Sequence, residues 1–124
     1  MARPRGFTLI ELLVVMAIIG TLLAMASPRY FRSVDHAREA ALRQDLAVMR
    51  DAIDKHHADT GRYPAALEEL VAKRYLRRIP ADPITESTDT WVILPPTDSE
   101  QGAVYNVASG APGSGRDGTP FRSW

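Results

Sequence analysis

The sequence predicts an α+β fold. A long N-terminal helix, apolar in its first half and amphipathic in its second, packs on a small antiparallel sheet that ends in an irregular C-terminal loop. Three observations predict it. Residues 7–26 form an apolar run whose sole formal charge is Glu11. An apolar stripe at helical spacing continues through residues 29–60. Two short β-rich runs, 91–94 and 103–108, then precede a glycine-rich tail.

The apolar run comes first. About 20 such residues suffice to span a bilayer as a helix. Arg3 and Arg5 precede it, as the positive-inside rule asks of a cytoplasmic start. Glu11 is the anomaly. A charge at the centre of a membrane helix costs roughly 2.5–3.5 kcal/mol, and less near the ends. Either Glu11 meets a cationic partner or it sits at the headgroup level. An ordinary secretory signal, cut after Ala26, is the competing reading. It is opposed by a run longer than the usual ~7–15 residue core of such signals, by the early glutamate, and by a helical pattern that resumes beyond Pro28.

Pro28 removes a backbone donor and crowds the carbonyl of Ala24, so a kink or local loosening is expected there. Beyond it, Val34, Ala37, Ala41, Leu46, Met49 and Ile53 mark one apolar face. His56 and His57 are adjacent and point about 100° apart on a helix, which disfavours a shared metal ion. Both are expected to be solvated or half-packed. Gly61 suits a left-handed C-cap.

A short helix follows over 65–73, with Leu67, Leu70 and Val71 inward. Residues 79–83 are extended, because residues before proline avoid the α region. In the strands, Trp91 and Tyr105 are expected in the core. The polar stretch 97–102 forms the hairpin loop. Residues 109–118 hold Gly110, Gly113, Gly115 and Gly118 and lack the signature of a phosphate loop. Phe121 and Trp124 are expected to fold back and tie this loop down.

Composition narrows the function. Basic and acidic residues balance at 15 each in 124 residues, so nothing in the charge favours nucleic acid. The absence of cysteine excludes disulfides and cysteine-based catalysis or ligation. No nucleophile–base or paired-carboxylate constellation stands out, and no enzymatic activity is expected.

Gly6-Phe7-Thr8-Leu9-Ile10-Glu11-Leu12-Leu13-Val14-Val15 resembles the class III signal of type IV pilins and type II secretion pseudopilins. Thr60-Gly61-Arg62-Tyr63-Pro64 and Pro80-Ala81-Asp82-Pro83 look like segments of the major, G-type pseudopilin. The resemblance implies a pilin-like fold with residues 1–6 as prepilin leader, 7–28 as transmembrane and assembly helix, and 29–124 as periplasmic domain.

It further implies cleavage between Gly6 and Phe7 by a prepilin peptidase that then N-methylates Phe7. Glu11 would pair with the Phe7 amine of a neighbouring subunit, and Pro28 would let the helix loosen in the filament. The implied function is a structural subunit of a pseudopilus that drives protein export through an outer-membrane secretin. Its implied partners are further copies of itself, minor pseudopilins and an inner-membrane assembly platform. The implied location is the bacterial inner membrane, single-pass, with the C-terminal domain in the periplasm. A type IV pilin or minor pilin, serving adhesion, motility or DNA uptake, is the alternative.

In major pseudopilins the C-terminal loop binds calcium. Here Asp117 is its sole acidic residue, against the six to eight oxygens calcium takes. Asp117, assisted by Ser109, Ser114 or Thr119, is the candidate, and no cofactor is assigned.

Overall fold

The computed structural model describes residues 3–124; Met1 and Ala2 of the expected leader lie outside the described residues. Helix α1 runs Leu9–Thr60, and the chain divides into two compact units after Asp35.

In the first unit, α1 begins at Leu9 rather than at the expected Phe7, because Thr8 serves as its cap. Its apolar stretch contains an 18-residue window that is 0% buried. Leu9, Ile10, Leu13, Met16, Leu22 and Leu23 are all exposed. A helix apolar all round is stable only against lipid or protein, so this surface is built for a partner. Pro28 lies inside α1.

In the second unit, α1 buries Leu42, Leu46, Met49, Ala52, Ile53 and His56, which fall at spacings that keep them on one face. Leu46, Met49 and Ile53 match the sequence expectation. Ala37 and Ala41 do not: both are exposed, and the stripe starts at Leu42. Before Leu42 the helix is held by polar contacts of His36 and Glu39 with Arg116, so it needs no apolar face there. The helix ends where expected. Gly61 takes φ +73° and donates its N–H to His57 O at 2.8 Å.

Helix α2 spans Leu67–Ala72, shorter than the expected 65–73, with Leu67 and Leu70 buried. Glu69 Oε2 accepts from the Ala65 N–H at 2.6 Å, which fixes the entry into the helix. Glu68 and Glu69 in the first turn suit the helix dipole.

Strand β1 (Trp91–Leu94) pairs antiparallel with β2 (Asn106–Ser109), with Trp91 opposite Ser109 and Leu94 opposite Asn106. The first strand lies where the sequence puts it. The second starts three residues late. The N–H groups of Ala103 and Val104 both donate to Pro64 O, which draws 103–104 away from the ladder. Tyr105 is 52% exposed, against the expectation of a core residue. Its ring instead meets Tyr63 edge-on at 5.2 Å, and Tyr63 stacks on His57 at 4.2 Å.

One core joins these elements: α1 and α2 residues meet Leu76, Trp91, Val104, Val107, Ala111 and Phe121 in a single buried cluster. Two strands alone would be marginal, and this shared core stabilises them.

Candidate functional site

The N-terminal segment is organised by Thr8 and Glu11. Thr8 stands at the N-cap of α1 and Glu11 at its third helical position. The Glu11 N–H donates to Thr8 Oγ1 at 3.1 Å, and the Thr8 N–H reaches Glu11 Oε2 at 3.4 Å. This reciprocal capping box satisfies two backbone donors that a helix start leaves free. Glu11 thus has a partner within its own chain that charge reasoning alone overlooked. The Thr-x-x-Glu spacing carries the signal.

Gly6 and Phe7 precede the cap without regular structure, and Phe7 is 81% exposed. A Cβ placed on Gly6 would meet nothing within 4 Å, and its φ is not positive. The fold therefore does not require glycine there. Pro28 stands further along the helix, remote in sequence from this cluster.

The second candidate is the C-terminal loop. Asp117 Oδ1 accepts from the N–H and the hydroxyl of Thr119, at 3.0 and 2.6 Å. Its Oδ2 faces Arg43 Nη2 at 3.6 Å. The Thr119 bonds, more than Arg43, hold the Asp117 carboxyl below its ordinary pKa. The Arg43 guanidinium lies 3.9 Å from the centre of the Trp124 ring, and Trp124 Nε1 donates to Thr119 Oγ1. Phe121 is buried and meets Trp124 edge-on, so both aromatics fold back on the loop as expected.

Of the assisting residues, Ser109 is buried with its hydroxyl between Asp82 and the Ala111 N–H. Ser114 pairs with Pro120 in an isolated bridge. Among the described residues no three His, Asp or Glu side chains are grouped to hold a metal ion.

Three polar residues hold the second unit together in roles the sequence did not suggest. Asp82, in the Pro-x-Asp-Pro segment, is fully buried and accepts from Ser109 Oγ at 2.5 Å and from the Ile84 N–H at 2.8 Å. Arg50 bonds Asn106, Val107 and Trp124. His56, expected to be solvated or half-packed, is 2% exposed; its Nδ1 bonds Arg62 O and its Nε2 lies 3.6 Å from Glu69. It is buried because α2 and the Tyr63–Pro64 turn fold over that side of α1. His57 turns elsewhere, onto Tyr63.

Comparison with known proteins joins these observations. The family model for the prokaryotic N-terminal methylation motif matches residues 1–27. The type II secretion system core protein G of Klebsiella pneumoniae is 32% identical over 99 residues, covering 67% of this chain and 71% of that relative. That of Escherichia coli K12 is 31% identical over 126 residues, covering 89% and 83%.

The chain belongs to the type II secretion system core protein G family, the major pseudopilins. The core protein G of Vibrio cholerae extends the match to the whole chain, at 27% identity and 94% coverage of the relative. No solved structure matches. The comparisons give no support to the type IV pilin alternative. A core protein G accounts for the methylation motif, for the one helix among the described residues that is long and apolar enough to cross a membrane, and for the small α+β unit that follows.

Proposed function

We propose that this chain is made as an inner-membrane precursor, with residues 1–6 as a cytoplasmic leader and residues 29–124 as a periplasmic domain. A prepilin peptidase cuts between Gly6 and Phe7 and methylates the new Phe7 amine. Residues 7–28 are retained and become the assembly helix. Copies then stack into a periplasmic pseudopilus, with minor pseudopilins and an inner-membrane platform as partners, and the growing filament pushes exoproteins through an outer-membrane secretin. The chain acts as a structural subunit, not as an enzyme.

The observation that carries this reading is the Thr8–Glu11 box at the head of a helix whose apolar stretch is wholly uncovered. The box holds the Glu11 carboxylate against the Thr8 N–H, one residue from the chain end that cleavage would expose. A methylated amine stays cationic, and an ion pair between copies costs less in an apolar bundle than two separate charges. Gly6 supports the same reading, since its missing Cβ serves nothing inside the chain. Pro28 supplies a place where α1 loosens once packed in the filament.

The test is co-expression with a prepilin peptidase and a secretion assembly platform, followed by electron microscopy of sheared material. Filaments containing the chain are the expected result. A soluble monomer lacking residues 1–26 contradicts the proposal.

A further inference from the structure

A calcium ion is what the family resemblance implies for the C-terminal loop, and the donors of this chain do not fit one. The ion takes six to eight oxygens. The loop offers one carboxylate, with both oxygens in use. The Thr119 hydroxyl is committed between Asp117 and Trp124, and the Ser109 hydroxyl is buried in its own bonds. The carbonyls of Gly113, Gly115 and Thr119 accept from N–H groups of the same loop. A guanidinium already stands beside the carboxylate and would repel a divalent cation.

We infer that the loop of this chain is closed by an internal cation: Arg43, held between the Asp117 carboxylate and the Trp124 ring, does the work of a metal, and residues 110–124 fold without one. The helix is built for this. His36, Glu39 and Arg43 lie at i, i+3 and i+7, along one side of α1. Each takes hold of the loop. Arg116 Nη1 donates to His36 Nδ1 at 2.9 Å, and the Arg116 N–H donates to Glu39 Oε1 at 2.8 Å.

Arg43 completes the stripe by pairing with Asp117 on one side and covering the Trp124 face on the other. Trp124 in turn packs on the Gly115 backbone so closely that a Cβ there would collide with its ring. A planar guanidinium can stack and ion-pair at once, which a lysine ammonium does less well.

The experiment uses the full chain in detergent and reads two things. Thermal unfolding is followed in millimolar calcium and in EGTA. Trypsin cleavage after Arg116 and Arg122 reports opening of the loop, since proteolysis tracks the open population when reclosing is fast. Equal melting temperatures with and without calcium are expected for the unaltered chain. Arg43→Gln should speed loop cleavage roughly three- to tenfold, with no rescue by calcium, and Arg43→Lys should fall between.

A calcium-dependent rise of roughly 10 °C, the size a well-occupied site would give, overturns the inference. So does calcium protection against trypsin. Unchanged cleavage in Arg43→Gln overturns it from the other side. The calcium titration of the unaltered chain decides the matter even if that variant folds poorly.

Discussion

Arg50, on α1, donates through Nη2 to the carbonyl of Trp124 at 2.6 Å. The same nitrogen reaches Val107 O at 3.0 Å, and Nε reaches Asn106 Oδ1 at 2.9 Å. One half-buried side chain thereby fastens both β2 and the last turn to the helix. Arg50→Met keeps the apolar stem and removes these bonds. Hydrogen bonds to charged groups contribute about 1.5–3 kcal/mol net, so a loss of about 2–3 kcal/mol is expected. Denaturant unfolding of the full chain in detergent measures it, and a loss under about 0.5 kcal/mol contradicts the fastening role.

Glu11 has two separable duties, and two substitutions divide them. Glutamine can still accept from a backbone N–H in a capping box, but carries no charge. Glu11→Gln should therefore preserve the helix start and cleavage at Gly6 while abolishing filament formation. Glu11→Leu should lose the cap as well as the charge. Filaments from Glu11→Gln, counted by electron microscopy, would remove the pairing argument and leave Glu11 a cap alone.

Gly6 gives a sharper dissociation. Since a Cβ there meets nothing, Gly6→Ala should leave the melting temperature within error of the unaltered precursor. Its processing by the peptidase should fall at least about tenfold, because a glycine the fold does not need is needed by something that binds it. A gel-shift assay of precursor against mature chain reads the result. Normal processing would show that the glycine has no such role.

Three carboxyls of the second unit have shifted pKa values, two lowered and one raised. The Thr119 bonds lower the pKa of Asp117, and the Ala65 N–H, then Lys73, lower that of Glu69. A folded pKa below the unfolded one stabilises above the ordinary carboxylate value, about 4, and the benefit is lost as pH falls through the lowered value. Asp45 has the opposite sign: burial, then Asp82, raises its pKa, so it opposes folding as pH rises through that range. Amide exchange at Gly115 and Phe121, corrected for intrinsic rates, should be flat from about pH 7 to 5 and open below about pH 4. Opening already at about pH 6 contradicts the assignment.

What the sequence made legible follows range. Helix α1 and strand β1 are local patterns, an apolar run with a periodic stripe and a β-rich tetrapeptide; β1 lies where its pattern puts it, and α1 starts two residues late and ends where expected. Gly61 and the fold-back of Phe121 and Trp124 were legible for the same reason. The Thr8–Glu11 box was missed because charge drew attention first, although the Thr-x-x-Glu spacing carries its signal.

The rest depends on segments meeting from afar. The start of β2 is set by Pro64, about 40 residues earlier, which takes the N–H groups of Ala103 and Val104. The burial of His56 and Asp82 is set by α2 and by Ser109. Asp82 stood in the sequence only as part of an extended Pro-x-Asp-Pro segment. Its environment needs a hydroxyl 27 positions away, so no local pattern could reveal it.

That buried contact is itself testable. Asp82→Ala strands the Ser109 hydroxyl and the Ile84 N–H without water to replace the lost acceptor. A cost of about 2–4 kcal/mol is expected from two such groups, read by denaturant unfolding. A change below about 1 kcal/mol would mean that the site relaxes to let water in.

Mass spectrometry of the N-terminal peptide of the chain, recovered from membranes of cells that contain a prepilin peptidase, tests the central claim most directly. A mature chain beginning at N-methylated Phe7, with residues 7–28 intact, is the expected result. A chain beginning at Ser27 would mean that the apolar helix is discarded, and no filament of this kind could form from it.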